Sequence, residues 1–445
     1  NTVTFTGIRI IPSQWTHAAK VNQVGYQTMD EKRCAFSYDA GDVFDVVDTA
    51  TNQVVYSGAI VNKKADDNTG ETVCYGDFTN VTTPGTYIIH SQIGVSSYQF
   101  TIADDPYASL NDSLLKMLSL QRCGETLDAS WAGSLAHAQC HTDAATIYGT
   151  DQTLDVTGGW HDAGDYGRYI KTGSKAVNDL LFAYMYSPNA YTDSITGPDS
   201  GNGTADILDE AKYELDWMLK MQASDGGVYN KVLTTNLAEI ITPDQDKQPL
   251  YVLSEETTAT ADFAGTMATA SMAFRSTNAE FADKCLKAAE SAYAYLEANP
   301  DIIDVKNPSD IKGGEYLDSN DSDGRFFTSI ALWAATQDSK YLDNAKTIYQ
   351  NDNSAADGVS WSTNGGYGKY LYLMQSNAQS TDSDFYNAMK DSLTKEADTI
   401  VAIEAGNSYN SSLFDYSWGS NGNVSDNGIV LSMQYDVTGN QQYRQ

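Results

Sequence analysis

The sequence predicts two domains of different class: a small all-β sandwich of the immunoglobulin-like kind over residues 18–103, then an all-α domain over 107–445. Three observations carry this. Short runs rich in β-branched and aromatic residues alternate with turn clusters as far as Ile102. The hydrophobic period changes at Asp104-Asp105-Pro106. Beyond it, helical patterns recur between polar, Gly-rich loops, with almost no strand pattern.

The β runs are Arg33–Tyr38, Val43–Val47, Gln53–Tyr56, Thr86–His90 and Ser97–Ile102, separated by turn signals such as Asp39-Ala40-Gly41-Asp42 and Pro84-Gly85. Their short, regular spacing suggests a sandwich. After Pro106, Leu110, Leu114, Met117 and Leu118 fall on one helical face. Helical windows follow at 171–186, 206–222, 258–275, 280–297, 325–337, 340–350, 366–376 and 382–403. The second opens with Asp206 and Asp209, acids that the helix dipole favours in a first turn. A weak repeat, Ser276–Phe281, Thr336–Tyr341 and Thr438–Tyr443, places a short polar turn before an aromatic and reads as the turn of a helical hairpin. Many antiparallel helices make an α/α architecture.

Composition excludes several functions. The 445 residues carry 27 basic and 59 acidic side chains, a formal charge of −32, so nucleic acid and anionic membranes are repelled. No run of about 18 apolar residues occurs, and the opening NTVTFTGIRIIPSQW has neither a basic flank nor a signal-type stretch. The expectation is a chain without a membrane segment, secreted to the extracellular space with any export signal already removed.

Of the five cysteines, Cys123 and Cys140 join His141 and His161 in a Cys-x16-Cys-His-x19-His series. Two thiolates and two imidazoles are the ligand set of a closed, tetrahedral, structural zinc site. A Cys123–Cys140 disulfide beside two unrelated histidines, or buried free thiols, fits the spacing too. Cys34 and Cys74 lie in or beside β runs and read as a disulfide or as two separate thiols; Cys285 reads as a small core residue. For hard cations, Asp318, Ser319, Asp321 and Asp323 lie within six residues and partly imitate a calcium loop, without its distal Glu; a solvated turn is the alternative.

The sharpest local feature is Gly158-Gly-Trp160-His-Asp162-Ala-Gly-Asp165-Tyr166. Two aspartates three apart can share one water molecule, and aromatic faces beside paired acids suit a pyranose. The bland alternative is that Asp162 and Asp165 cap the following helix. Further candidates for sugar stacking or hydrogen bonding are Tyr416, Trp418 and Asn421 in a loop, and Trp361.

Together these motifs resemble glycoside hydrolase family 9, inverting cellulases with an amino-terminal immunoglobulin-like domain. Val21–Tyr26, Gln121–Gly124, the Asp-Ala-Gly-Asp segment, Asp206–Glu210, Met221-Gln222, Thr260–Phe263 and Tyr416–Asn421 follow in the family order. The resemblance implies a barrel of six helical hairpins, (α/α)6, acting as an endo-β-1,4-glucanase on cellulose or a related β-glucan. It implies Asp165 as general base and Asp162 as the residue that orients the attacking water. It implies structural zinc on Cys123, Cys140, His141 and His161, and structural calcium on the Asp318–Asp323 loop, where Gly324 replaces a usual acid. An exo-acting cellobiohydrolase or an amino-sugar-active relative is the alternative within enzymes, and a non-catalytic carbohydrate-binding protein the alternative outside them.

One departure stands out. The family's general acid is a glutamate late in the barrel, and no matching segment precedes Gln445, while the third hairpin turn stops two residues after Tyr443. The expectation is a barrel incomplete at its carboxy terminus, with truncation, a separate carboxy-terminal fragment or a relic as explanations.

Overall fold

A computed structural model describes residues 19–37, 40–195 and 197–444; the amino-terminal stretch, Tyr38 and Asp39 lie outside the described residues. The chain divides into two compact units. One gathers residues up to 112 with 398–427 and 440–445; the other gathers 113–397 with 428–439.

The first unit holds β1 (Ala19–Lys20), β2 (Tyr26–Gln27), β3 (Arg33–Phe36), β4 (Val43–Asp48), β5 (Gln53–Ala65), β6 (Thr72–Asp77), β7 (Gly85–Ser91) and β8 (Phe100–Ala103), in the order β1-β3-β6-β5-β4-β7-β8-β2. β5 reaches past the expected Tyr56: its first half pairs with β4 and its second half, from Ile60, with β6. That long strand serves both sheets of the sandwich. The sequence hid it behind Gly58 and the polar Asn62-Lys63-Lys64, and hid β6 behind Gly76. Both glycines have a packing reason. The Phe44 ring lies against them, and a Cβ would stand 2.6 Å from it at Gly58 and 2.4 Å at Gly76. Phe36, Phe44, Phe78, Tyr87 and Phe100 fill the core. Cys34 and Cys74 are buried and form no disulfide; Cys34 faces Gly76 and Cys74 faces Phe36.

Later segments of the chain complete this unit. Tyr75 donates its hydroxyl to the Ser408 carbonyl, Ser408 donates to the Ala65 carbonyl at 2.8 Å, and Tyr409 bonds Glu71. Tyr443 donates to Asp398 at 2.7 Å.

The helices are α1 (Ala108–Ser119), α2 (Ala129–Ala132), α3 (Ile170–Tyr186), α4 (Asp206–Lys220), α5 (Thr257–Ala273), α6 (Ala279–Ala298), α7 (Ser322–Thr336), α8 (Ser339–Asn351), α9 (Gly365–Met374), α10 (Ala378–Thr381), α11 (Ser383–Gly406) and α12 (Ser420–Thr438). All eight helical windows hold helices. α5 is buried all round, Met272 excepted, because it packs against α3, α6 and α7. The repeat has a physical cause. In each copy the third residue, Asn278, Asp338 or Asn440, accepts a backbone N–H just ahead, and the aromatic it introduces is buried. The first two copies open α6 and α8; the third opens a 3-10 turn over Gln441–Tyr443.

Two expectations are corrected. Residues 416–421 are not all loop, since α12 begins at Ser420; Asn421, Gly422, Asn423 and Gly428 are weak helix formers, which masked it. The second unit also contains strand: β9 (Ala145–Ile147), β10 (Thr153–Leu154), β11 (Arg168–Tyr169), β12 (Val228–Tyr229), β13 (Lys231–Leu233), β14 (Tyr251–Val252) and β15 (Glu255–Glu256). Five form a sheet ordered β10-β9-β14-β13-β11. Its pieces of two or three residues are too short to show a period, yet they hold the loop described next.

Candidate functional site

The segment 161–167 is fastened at both ends. Upstream, Cys123 N–H donates to Gly159 O at 2.7 Å and His161 N–H to Gln121 O at 2.8 Å, pairing Arg122 with Trp160. Downstream, β11 pairs with β13. Between them Asp162 N–H reaches Gly167 O at 2.9 Å, and Tyr166 takes a left-handed φ of 57° to close the turn. The N-cap of α3 is Tyr169 and no side chain accepts there, so Asp162 and Asp165 do not cap it. Their carboxylates are available for chemistry.

Asp162 accepts from Thr172 Oγ1 at 2.8 Å and from the Tyr316 hydroxyl at 2.6 Å. Desolvation raises its pKa above the usual carboxylate value, and the Asp165 charge adds to this, against the two hydrogen bonds. Asp165 accepts from Gly167 N–H at 3.3 Å and from the Tyr169 hydroxyl at 3.4 Å. The Tyr169 and Tyr316 rings meet edge to face at 4.7 Å, and Tyr316 meets Trp361 at 5.2 Å. Two carboxylates and three aromatic rings therefore form one patch, with Trp361 36% exposed.

Tyr169 and Tyr316 were not legible as site residues. Tyr316 holds a left-handed φ of 42°, unusual for an aromatic. Its carbonyl accepts from the buried Lys171 ammonium at 2.9 Å, and Lys171 is itself paired with Asp304 at 2.8 Å and Glu256 at 3.6 Å. Gly314 N–H donates to the Tyr169 hydroxyl at 2.7 Å. Gly313-Gly314 was the one available signal, because a Cβ at Gly313 would stand 2.9 Å from that hydroxyl oxygen.

Cys123, Cys140, His141 and His161 converge, with one donor atom from each within 4.8 Å of the others. The sulfurs are 4.0 Å apart, Cys123 Sγ lies 3.6 Å from His141 Nδ1, and Cys140 Sγ lies 3.9 Å from His161 Nε2. Zinc–ligand bonds near 2.0–2.3 Å imply tetrahedral edges of about 3.3–3.8 Å, so the set fits one ion. Both cysteines are free, which removes the disulfide alternative. His141 Nε2 and Asp246 Oδ2 are buried without hydrogen-bond partners and face each other at 3.7 Å. A metal on Nδ1 would put the proton on Nε2 and satisfy both. Asp246 is a further residue the sequence did not reveal. Cys140 is held far below the usual thiol pKa by Cys123 S–H and the two histidines, while burial pushes Cys123 well up. As a cluster they can hold a metal ion and leave it no open position.

The remaining candidates sort differently. Trp160 is only 7% exposed and its indole N–H donates to Glu210 at 2.7 Å, so it is a core pin rather than a stacking face. The Tyr166 ring packs on His161 at 4.9 Å and His141 at 5.7 Å, and its hydroxyl donates to Ile241 O, so it covers the cluster. Tyr416, Trp418 and Asn421 group with the first unit, and Trp418 is 99% exposed. The calcium set does not converge. Asp321 pairs with Arg325 at 2.9 Å, Asp323 accepts from Asn364 N–H at 2.7 Å, and Asp318 turns its oxygen to Asn320 N–H at 3.0 Å. Ser319 is exposed on that turn. Each acid has one such partner and a guanidinium stands beside Asp321, while Asp321 Oδ2 is buried without a hydrogen-bond partner.

The profile of Glycosyl hydrolase family 9 matches residues 107–445, and that of the Cellulase N-terminal ig-like domain matches 15–94. The cellodextrinase of Butyrivibrio fibrisolvens is 32% identical over 444 residues, covering 95% of this chain and 80% of that protein. A metagenome-derived glycoside hydrolase family 9 endoglucanase superposes with a TM-score of 0.88 at 29% identity, covering 96% of this chain and 81% of the other. A Zn-binding triple mutant of the family 9 endoglucanase J30 superposes with a TM-score of 0.87 at 31% identity, covering 94% and 80%.

Proposed function

Because the chain belongs to glycosyl hydrolase family 9, with the family's Ig-like domain ahead of its helical one, we propose that it is a secreted, inverting endo-β-1,4-glucanase acting on cellulose or a related β-glucan. The observation that carries this is the Asp162–Asp165 pair, hydrogen-bonded by Tyr316 and Tyr169 and bordered by Trp361.

Asp165 takes the proton of the attacking water as general base. Asp162, its two oxygens fixed by Thr172 and Tyr316, orients that water. Attack is a single displacement without a covalent intermediate, with base and acid about 6.5–9.5 Å apart to leave room for water. The leaving oxygen needs a proton from a general acid, and no glutamate of this chain is assigned that role. Trp361 offers an apolar face to a sugar ring.

Zinc on Cys123, Cys140, His141 and His161 would clamp the loop that carries both aspartates, as a structural ion with four protein ligands. The domain bounds in this reading are 18–103 and 107–445. The test is reducing-sugar release from carboxymethyl cellulose by the full chain and by Asp165→Ala. The expected result is turnover that the substitution lowers roughly 10²–10⁴-fold. A folded full chain that binds soluble glucan without releasing sugar refutes hydrolysis and leaves carbohydrate binding.

A further inference from the structure

The buried acid Glu210, on α4, touches neither carboxylate of the Asp pair nor any of the four cluster residues, yet it joins the two segments that present them. Its Oε1 accepts from the Trp160 indole at 2.7 Å and from Arg122 Nε at 3.2 Å. Its Oε2 accepts from Arg122 Nη2 at 3.0 Å and from the Ser119 hydroxyl. One helical turn on, Glu214 accepts the backbone N–H of the same Trp160 at 2.7 Å. Arg122 precedes Cys123, and Trp160 precedes His161 and Asp162. Three of the four donors to Glu210 therefore come from residues next to a metal-type ligand, and the fourth, Ser119, ends α1.

A carboxylate this deeply buried is costly without partners, so the four donors and the acid hold one another. The geometry is selective as well. Arg122 and Trp160 sit on opposite strands of the bridge that aligns 121–123 with 159–161. A carboxylate accepting from both fixes the sliding of one strand on the other. A slip would carry Cys123 away from His161 and rotate Asp162 away from the Tyr316 hydroxyl.

We propose that Glu210 is a positioning residue: through Arg122 and Trp160 it sets the register that brings Cys123 to His161 and Asp162 to Tyr316. The inference concerns hydrolysis only in so far as the preceding section holds, so its test has a metal arm that does not need activity. Glu210→Gln, Trp160→Phe and the double variant are made in the full chain. Trp160→Phe deletes the indole donor and leaves a smaller aromatic ring in its place.

In the metal arm, Co2+ alone is titrated into each protein against a chelator while the thiolate charge-transfer band is followed. Glu210→Gln is expected to weaken Co2+ roughly tenfold, as outer-shell partners do. In the activity arm, kcat on soluble glucan is expected to fall roughly tenfold in Glu210→Gln with KM changed less than about twofold, since small misplacement of catalytic groups acts on kcat. The double variant is expected to equal the worse single one. Co2+ affinity unchanged in a folded Glu210→Gln, or losses in the double variant that multiply, overturns the proposal. Absence of hydrolysis in every protein, wild type included, refutes the glucanase reading and leaves the Co2+ arm to decide on Glu210.

Discussion

Two stretches of the second unit carry metal-type spacing, and they end differently. Cys123, Cys140, His141 and His161 come from segments far apart in sequence and meet within 4.8 Å. Asp318, Ser319, Asp321 and Asp323 are nearly contiguous and stay separate. Proximity in sequence is thus a poor guide to a shared ligand. What differs is whether a protein cation already stands among the donors. The cluster leaves His141 Nε2 and Asp246 Oδ2 buried and unanswered, and the acidic stretch leaves Asp321 Oδ2 in the same state; there, however, a guanidinium is already in place. Arg325 forms an ion pair with Asp321 and donates to Leu296 O at 2.9 Å and Asn299 O at 2.7 Å, tying the start of α7 to the end of α6.

The contrast can be broken by removing the ion from one region and the guanidinium from the other. The largest effect is expected at the cluster. Cys140→Ser should abolish stoichiometric zinc in elemental analysis, and stripping zinc with a chelator should cost about 4 kcal/mol, the linkage value at roughly 1,000 times Kd. For a domain of this size that lowers Tm by roughly 6 °C; a Tm indifferent to the chelator in zinc-loaded protein would sink the clamp. Next comes Arg325→Met, which leaves Asp321 buried and unpaired and is expected to cost about 3 kcal/mol in urea unfolding, at the lower end for a broken buried pair. Asp246→Asn should then weaken zinc roughly tenfold while leaving the four ligands in place, checked by chelator competition. The smallest effect is calcium: millimolar Ca2+ or EGTA should leave Tm within about 1 °C, because an ion that finds no site cannot stabilise. A clear rise with Ca2+ would merge the two regions after all.

Legibility followed the same divide. The sandwich, the eight helical windows, the metal-type series and the aspartate pair stood in the sequence because each is a local pattern of residue types. Tyr316 did not, since its value lies in a strained backbone held by Lys171, 145 residues away. Nor did Asp246, joined to His141 only by the fold. Trp160 misled for a related reason. An aromatic beside paired acids looks like a sugar platform, and only burial shows that its N–H is committed to Glu210. The α12 helix escaped because its first turns carry Asn and Gly residues of weak helix propensity and bury no apolar face.

The first unit has a consequence for how the protein is made. Tyr75 and Ser408 are partners across 333 residues, and Tyr409 and Glu71 across 338. A ribosome delivering some 5–20 residues per second leaves the β5–β6 hairpin uncovered for roughly half a minute before those partners emerge. During that interval the second half of β5 and its neighbour β6 lack the segment that will cover them. The amino-terminal module is early in sequence and late in completion, so cutting the gene at residues 104–106 separates it from part of its own structure.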